Sequence, residues 1–114
     1  MIAVIFEVEP AEGRAADYFS MAMQLKADVE QADGFISVER FESVTRPGKF
    51  VSLSFWRDEE ALLNWRKHGR HQMMQKAGRG GVFADYRLRV AGVIRDYGMF
   101  ERSEAPEDAV ALHG

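Results

Sequence analysis

The sequence predicts an α+β domain of four strands and two helices in the order β-α-β-β-α-β. Three observations carry that prediction. Apolar residues recur at every second position in four stretches and at helical spacing in two others. Turn-forming clusters, Asp33-Gly34, Arg46-Pro47-Gly48-Lys49 and Gly78-Arg79-Gly80-Gly81, separate several of them. The chain has 114 residues, 46% hydrophobic and 29% charged, which suits one globular domain with its own core.

The first strand is read over Ile2 to Val8, with Pro10 as its stop. Ile2, Val4, Phe6 and Val8 share one face, and Ala3, Ile5 and Glu7 the other. Both faces are mostly apolar, so both need cover. A helix follows from Ala11 to about Gln31, with a stripe of Ala15, Tyr18, Phe19, Ala22, Leu25 and Val29. Asp33-Gly34 ends it, with Gly34 as the left-handed residue. The second strand is Phe35 to Glu42, where Ile36 and Val38 alternate with Ser37 and Glu39. Arg46-Pro47-Gly48-Lys49 suits a type II turn, and Phe50 to Trp56 returns as the antiparallel third strand.

Asp58-Glu59-Glu60 places acid at the start of the second helix, whose buried stripe is Ala61, Leu62 and Trp65. Gly69 is expected to break or bend it, with a further helical piece from Arg70 to about Gly78. The last strand is read as long, Val82 to Tyr97, with a bend at Gly92. Residues 1–100 form the domain, and the acidic tail 101–114 is expected to be loosely ordered or to pack on a partner subunit. The element order is the ferredoxin-like split unit, which covers one sheet face with both helices. The first strand's second apolar face then calls for another sheet, so a homodimer is expected.

Composition excludes several functions. There are no cysteines, hence no disulfides, thiolate metal sites or cysteine nucleophiles. The net charge of -3 resides in the tail, where Glu101, Glu104, Glu107 and Asp108 oppose Arg102. A neutral body argues against nucleic-acid binding. The apolar N-terminus, MIAVIFEVEP, lacks a basic flank and is too short for a membrane span, so a cytoplasmic protein is expected.

Residues able to support chemistry concentrate between Lys49 and Gln75. Trp65 reads either as a core filler or as a wall of a pocket for a flat ligand, and Trp56 first as a core filler and second as such a wall. His68 and His71 follow Trp65 and could act as acid or base near neutral pH. Their spacing permits metal ligation, but the acidic residue of a HExxH motif is missing and no metal site is expected. The cations Arg66, Lys67, Arg70, Lys76 and Arg79 read either as a solvated helix end or as an anion-attracting rim. Tyr86 shares a strand face with Leu88 and Val90 and is expected to line a pocket beneath the second helix, while Arg40 projects from the second strand. Glu7 lies on an apolar strand, where burial would raise its pKa, unless an arginine pairs with it.

The stretches DGFISVERFES, RPGKF, SLSFWRDEEALLNW and HQMMQKAGR before VFADYRLRVAGVIRDYG resemble the antibiotic biosynthesis monooxygenase superfamily of dimeric α+β barrels. The resemblance spans about Met1 to Gly98. It implies a homodimer of ferredoxin-like units, each with a pocket between sheet and helices. Members include cofactor-independent monooxygenases of polycyclic phenols, quinol monooxygenases and haem-degrading enzymes. The haem-degrading branch uses a first-strand asparagine, a helix-two tryptophan and a histidine about ten residues later. Trp65 matches, but Gln75 stands at the histidine's place and the first strand has no asparagine. The resemblance therefore implies oxygenation of a small aromatic phenol or quinol without a cofactor. His68 or His71 would be the base, and Trp65, Trp56, Tyr86 and Phe41 would contact the substrate. A barrel that binds a small hydrophobic molecule without turning it over is the alternative, with haem binding behind it.

Overall fold

A computed structural model describes residues 1–68 and 78–108, without the side chains of residues 78 and 79. The elements are β1 (Ile2–Pro10), α1 (Ala15–Glu30), β2 (Phe35–Glu42), β3 (Phe50–Trp56), α2 (Glu59–Arg66) and β4 (Phe83–Gly92). The four strands form one antiparallel sheet in the order β2-β3-β1-β4. This is the ferredoxin-like arrangement that the element order predicts.

Register decides which side chains meet. Ile2, Val4, Phe6 and Val8 lie opposite Trp56, Ser54, Ser52 and Phe50 on β3, and opposite Gly92, Val90, Leu88 and Tyr86 on β4. One core cluster joins Val4 and Trp56 to Val29 of α1 and to Ala61, Leu62 and Trp65 of α2. A second joins Val8 to Tyr18 of α1 and to Val82. Both helices thus cover the same sheet face. Ile5, Val51, Leu53 and Phe55 occupy the other face, half-buried.

Several boundaries differ from the sequence reading, each for a local reason. β1 continues to Pro10, because a register shift at Glu9/Pro10 lets proline pair with Phe83. The Ala11 N–H then bonds the Val82 carbonyl at 2.8 Å, and Gly13 turns the chain, so α1 starts at Ala15. A second register shift, between Phe35 and Ser37, changes the phase of β2. Phe35 and Val38 consequently pack on the core while Ile36 is 52% exposed. β4 ends at Gly92, five residues before the expected end, because its partner β1 runs out at Ile2. One more bond, Val93 N–H to the Met1 carbonyl, closes the ladder.

The turns behave as their residues demand. The Lys49 N–H bonds the Arg46 carbonyl at 3.1 Å, and Gly48 has φ of 89°, as a type II turn requires. Gly34 has φ of 84°, and a Cβ built there would collide with the Ala61 Cβ. Its carbonyl accepts the Arg57 N–H at 2.7 Å. The start of β2 therefore presses directly on the first turn of α2. Asp58 caps that helix by accepting the Ala61 N–H at 2.8 Å. α2 stops at Arg66, before Gly69, and the expected helical piece after it lies outside the described residues for most of its length.

After β4 the chain forms turns stitched by local bonds, including Asp96 N–H to the Glu104 carboxylate and Gly98 N–H to the Glu101 carbonyl. The Arg102 guanidinium lies 5.6 Å from the centroid of the Tyr97 ring. Among the described residues no helix is long and apolar enough to cross a membrane.

Candidate active site

A cavity of about 220 Å³ lies between the sheet and the two helices. Its floor is the helix-facing side of all four strands. Val4 and Phe6 come from β1, Val38 and Arg40 from β2, Ser52, Ser54 and Trp56 from β3, and Tyr86, Leu88 and Val90 from β4. α1 contributes Tyr18, Met21, Ala22, Leu25 and Val29. α2 contributes Leu62, Trp65 and Arg66. The lining is mainly apolar, with a few polar groups set into it, as in small-molecule sites.

The two tryptophans form one end. Trp56 is 2% exposed, and its ring centroid is 6.3 Å from that of Trp65 with an interplanar angle of 30°. Phe35 packs edge-on against Trp56 at 5.4 Å. The indole N–H of Trp56 donates to Ser54 Oγ at 3.0 Å, so this end has its indole donor satisfied. An aromatic trio walls another part of the cavity. Phe6, Phe83 and Tyr86 have centroids 5.7 to 6.0 Å apart. Tyr86, Leu88 and Val90 remain exposed on the β4 side.

The opposite end carries Tyr18 and Arg40. Tyr18 is 5% exposed and held by rings of Phe19, Phe50 and Phe83 at 5.2 to 6.2 Å. Burial pushes its phenol pKa up, and the nearby Arg40 charge opposes that rise only in part. The hydroxyl is therefore a neutral donor at physiological pH. The Arg40 guanidinium lies close enough to act on the phenol, yet Tyr18 Oη and Arg40 Nε are both buried without a well-formed hydrogen bond. Arg40 faces Ser52 across the β2–β3 ladder. None of the ion pairs among the described residues involves Arg40.

The expected site residues separate into groups. Trp56, Trp65 and Tyr86 line the cavity. Phe41 does not. It pairs with Val51, one step out of phase with the Arg40–Ser52 pair, and so lies on the other sheet face, 45% exposed. His68 stacks on Trp65 at 5.4 Å and 22° but is exposed and does not line the cavity. His71 and Gln75 lie outside the described residues. Arg66 of the basic segment reaches the lining.

Tyr18 and Ser52 were not distinguished by the sequence. Tyr18 reads as one more stripe residue, although a hydroxyl on a helix core stripe is itself a signal, since it must find a partner. For Glu7 the pairing alternative holds over burial, with the arginine supplied from within the same chain. Lys49 Nζ approaches it at 3.1 Å and Arg89 pairs with its other oxygen. These hydrogen bonds, Lys49 first, hold its carboxyl below the ordinary range instead of raising it. Among the described residues no group of three or more potential ligands is arranged for a metal.

Comparison with known proteins places this architecture. The family model for antibiotic biosynthesis monooxygenase matches residues 1–77. A jasmonate monooxygenase from Pyricularia oryzae is 46% identical over 93 residues, which are 82% of this chain and 43% of that protein. The chain thus spans less than half of that relative. An uncharacterised protein from Bacillus subtilis is 30% identical over 82% of this chain and 79% of its own length. Among solved structures, a Deinococcus radiodurans protein superposes with a TM-score of 0.77 at 14% identity, covering 86% of this chain and 97% of its own. A Mycobacterium tuberculosis protein gives 0.75 at 18% identity, covering 85% and 98%. These two share the fold. With the family model matching two thirds of the sequence, the chain belongs to the antibiotic biosynthesis monooxygenase family.

Proposed function

We propose that this protein is a monooxygenase of a small aromatic phenol or quinol, with O2 as its co-reactant. The carrying observation is the cavity between sheet and helices, whose walls are two indoles and an aromatic trio. Such walls suit a flat apolar body and keep water from its ring. The relative named as a jasmonate monooxygenase supports an oxygenation reaction in this family. A phenol supplies all the electrons that the reaction needs. One oxygen atom of O2 becomes the second carbonyl oxygen of a quinone. The other leaves as water, taking one hydrogen from the phenol O–H and one from the ring C–H. The four electrons come from the ring, so no external reductant enters the balance.

An oxygen electrode tests this directly. With 1-naphthol and substituted hydroquinones as a panel, at least one phenol is expected to consume one O2 per quinone formed. His68→Ala is expected to change turnover less than twofold, because His68 lies outside the cavity lining. If members of the panel bind without any O2 uptake, the protein is a binding module and the reaction is wrong.

We also propose that the open sheet face meets a second copy of the chain. Ile5, Val51, Leu53 and Phe55 form a half-buried apolar surface that neither helix covers. Sheets bury such faces against another layer. Light scattering at micromolar concentration is expected to give a dimer, and Leu53→Asp to give a monomer. A monomeric wild type would contradict the pairing.

A further inference from the structure

The Tyr18–Arg40 end of the cavity holds a cation with no carboxylate beside it among the described lining residues. Tyr18 Oη and Arg40 Nε are both fully shielded from solvent, and neither makes a well-formed hydrogen bond. Ser52, cross-strand from Arg40, adds a hydroxyl to the same stretch of lining. A buried polar atom without a partner costs stability, and a chain has no reason to hold two of them together unless something else completes them. No carboxylate lies among the described cavity-lining residues. The missing component is therefore an acceptor, and the fixed cation of Arg40 specifies that it be negatively charged.

We propose that Tyr18, Arg40 and Ser52 form an oxyanion subsite, and that the substrate is bound in this cavity as an organic monoanion. This rests on the substrate-cavity reading above and deepens it. Two sources supply the same chemistry: the carboxylate of a small apolar acid, or the phenolate of an ionised phenol. In either case the apolar body extends toward Trp56 and Trp65 while the oxygen stays at Arg40. A phenolate held there would be the electron-rich form that reacts with O2. Arg40 and Tyr18 would then touch the substrate at its charged oxygen.

Two arms separate the sources. Calorimetry on the full chain compares cyclohexylacetate with the neutral cyclohexylacetamide, which has nearly the same shape. Separately, 4-nitrophenol, whose phenolate absorbs visible light, is titrated with pH in the presence of excess protein. A carboxylate site gives about tenfold tighter binding of the acid than the amide, the usual worth of a charge-assisted hydrogen bond. A phenolate site lowers the apparent pKa of bound nitrophenol by about one unit. Whichever effect is present should vanish in Arg40→Gln, shrink severalfold in Tyr18→Phe, and persist in Arg40→Lys at reduced size. Neither Arg40→Gln nor Tyr18→Phe should lower the Tm at neutral pH, which distinguishes a ligand subsite from a structural one and controls for misfolding. Equal binding of acid and amide together with an unshifted nitrophenol overturns the subsite but leaves the apolar cavity standing. If none of the probes binds, both the subsite and the cavity reading fail.

Discussion

The two ends of the cavity are built on opposite terms. At the tryptophan end, packing is tight and the Trp56 donor is used. Trp56 is 2% exposed and its N–H reaches Ser54, Gly34 presses on Ala61, and Asp58 caps α2. At the Tyr18 end, the rings are packed equally well but the polar atoms are left unpaired. The first end supports the fold, whereas the second spends stability on groups that the fold does not use. Residues that stabilise an empty protein and residues that serve a ligand should therefore respond in opposite directions to truncation.

The largest expected effect is at the tryptophan end. Trp56→Ala removes the most buried large side chain of the first core cluster. Such truncations cost about 3–5 kcal/mol. Urea unfolding should show the midpoint fall with the slope unchanged. A loss under 1 kcal/mol would mean that this end is not the structural anchor.

Gly34→Ala comes next, with two independent penalties. Its φ of 84° disfavours any side chain, and the added Cβ meets Ala61. Gly48→Ala is the control: φ is 89°, yet nothing lies within 4 Å of its Cβ. The control should lose roughly 1 kcal/mol through the backbone alone. Gly34→Ala should lose roughly 1–3 kcal/mol more, the range for overpacking. Equal losses would show that the β2–α2 contact is loose. Asp58→Ala should cost about 1 kcal/mol through the lost cap, with Asp58→Asn close to wild type.

Acid adds a graded test of the structural groups. The Asp33 carboxyl is lowered mainly by its hydrogen bond from Arg57, that of Asp58 by the Ala61 N–H, and that of Glu7 by Lys49. A carboxylate whose folded pKa is below its unfolded value stabilises the protein above the unfolded pKa. That contribution is lost as pH falls through the folded pKa. Stability should therefore decline from the ordinary carboxylate range of about pH 4 downward. Asp33 is exposed and Asp58 and Glu7 are half-buried, so salt should reduce the effect, most of all at Asp33.

This contrast explains what the sequence could reveal. Hydrophobic periodicity, Asp33-Gly34, Arg46-Pro47-Gly48-Lys49 and the acidic start at Asp58 exposed the element order and the tryptophan end, because local chemistry decides them. The phase change at Phe35–Ser37 was illegible, since a one-residue bulge leaves no unique composition. So was the early end of β4, which is set by the length of its neighbour. An aromatic side chain such as Phe41 suits a cavity wall by its chemistry, but the strand register turns it away. The Tyr18–Arg40 pairing needed two elements 22 positions apart in sequence to be brought together, and neither residue announces the other locally. His68 has the chemistry of an acid or base, but stacking on Trp65 leaves it outside the lining.

The smallest effect discriminates most sharply between the two ends. Tyr18→Phe keeps the ring and its contacts with Phe19, Phe50 and Phe83 and deletes only the hydroxyl. Were that hydroxyl structural, its loss would cost about 1 kcal/mol or more. Because it has no partner, its removal should leave stability unchanged or raise it by up to about 1 kcal/mol at neutral pH. Alkali should widen the difference. Burial raises the folded pKa of Tyr18, so the phenol's contribution is intact below the unfolded value of about 10 and is lost as pH rises above it. The wild type should therefore weaken at high pH relative to Tyr18→Phe, and paired Tm measurements at pH 7 and above 10 should diverge. Destabilisation of Tyr18→Phe at neutral pH would make Tyr18 part of the scaffold and erase the distinction between the two ends.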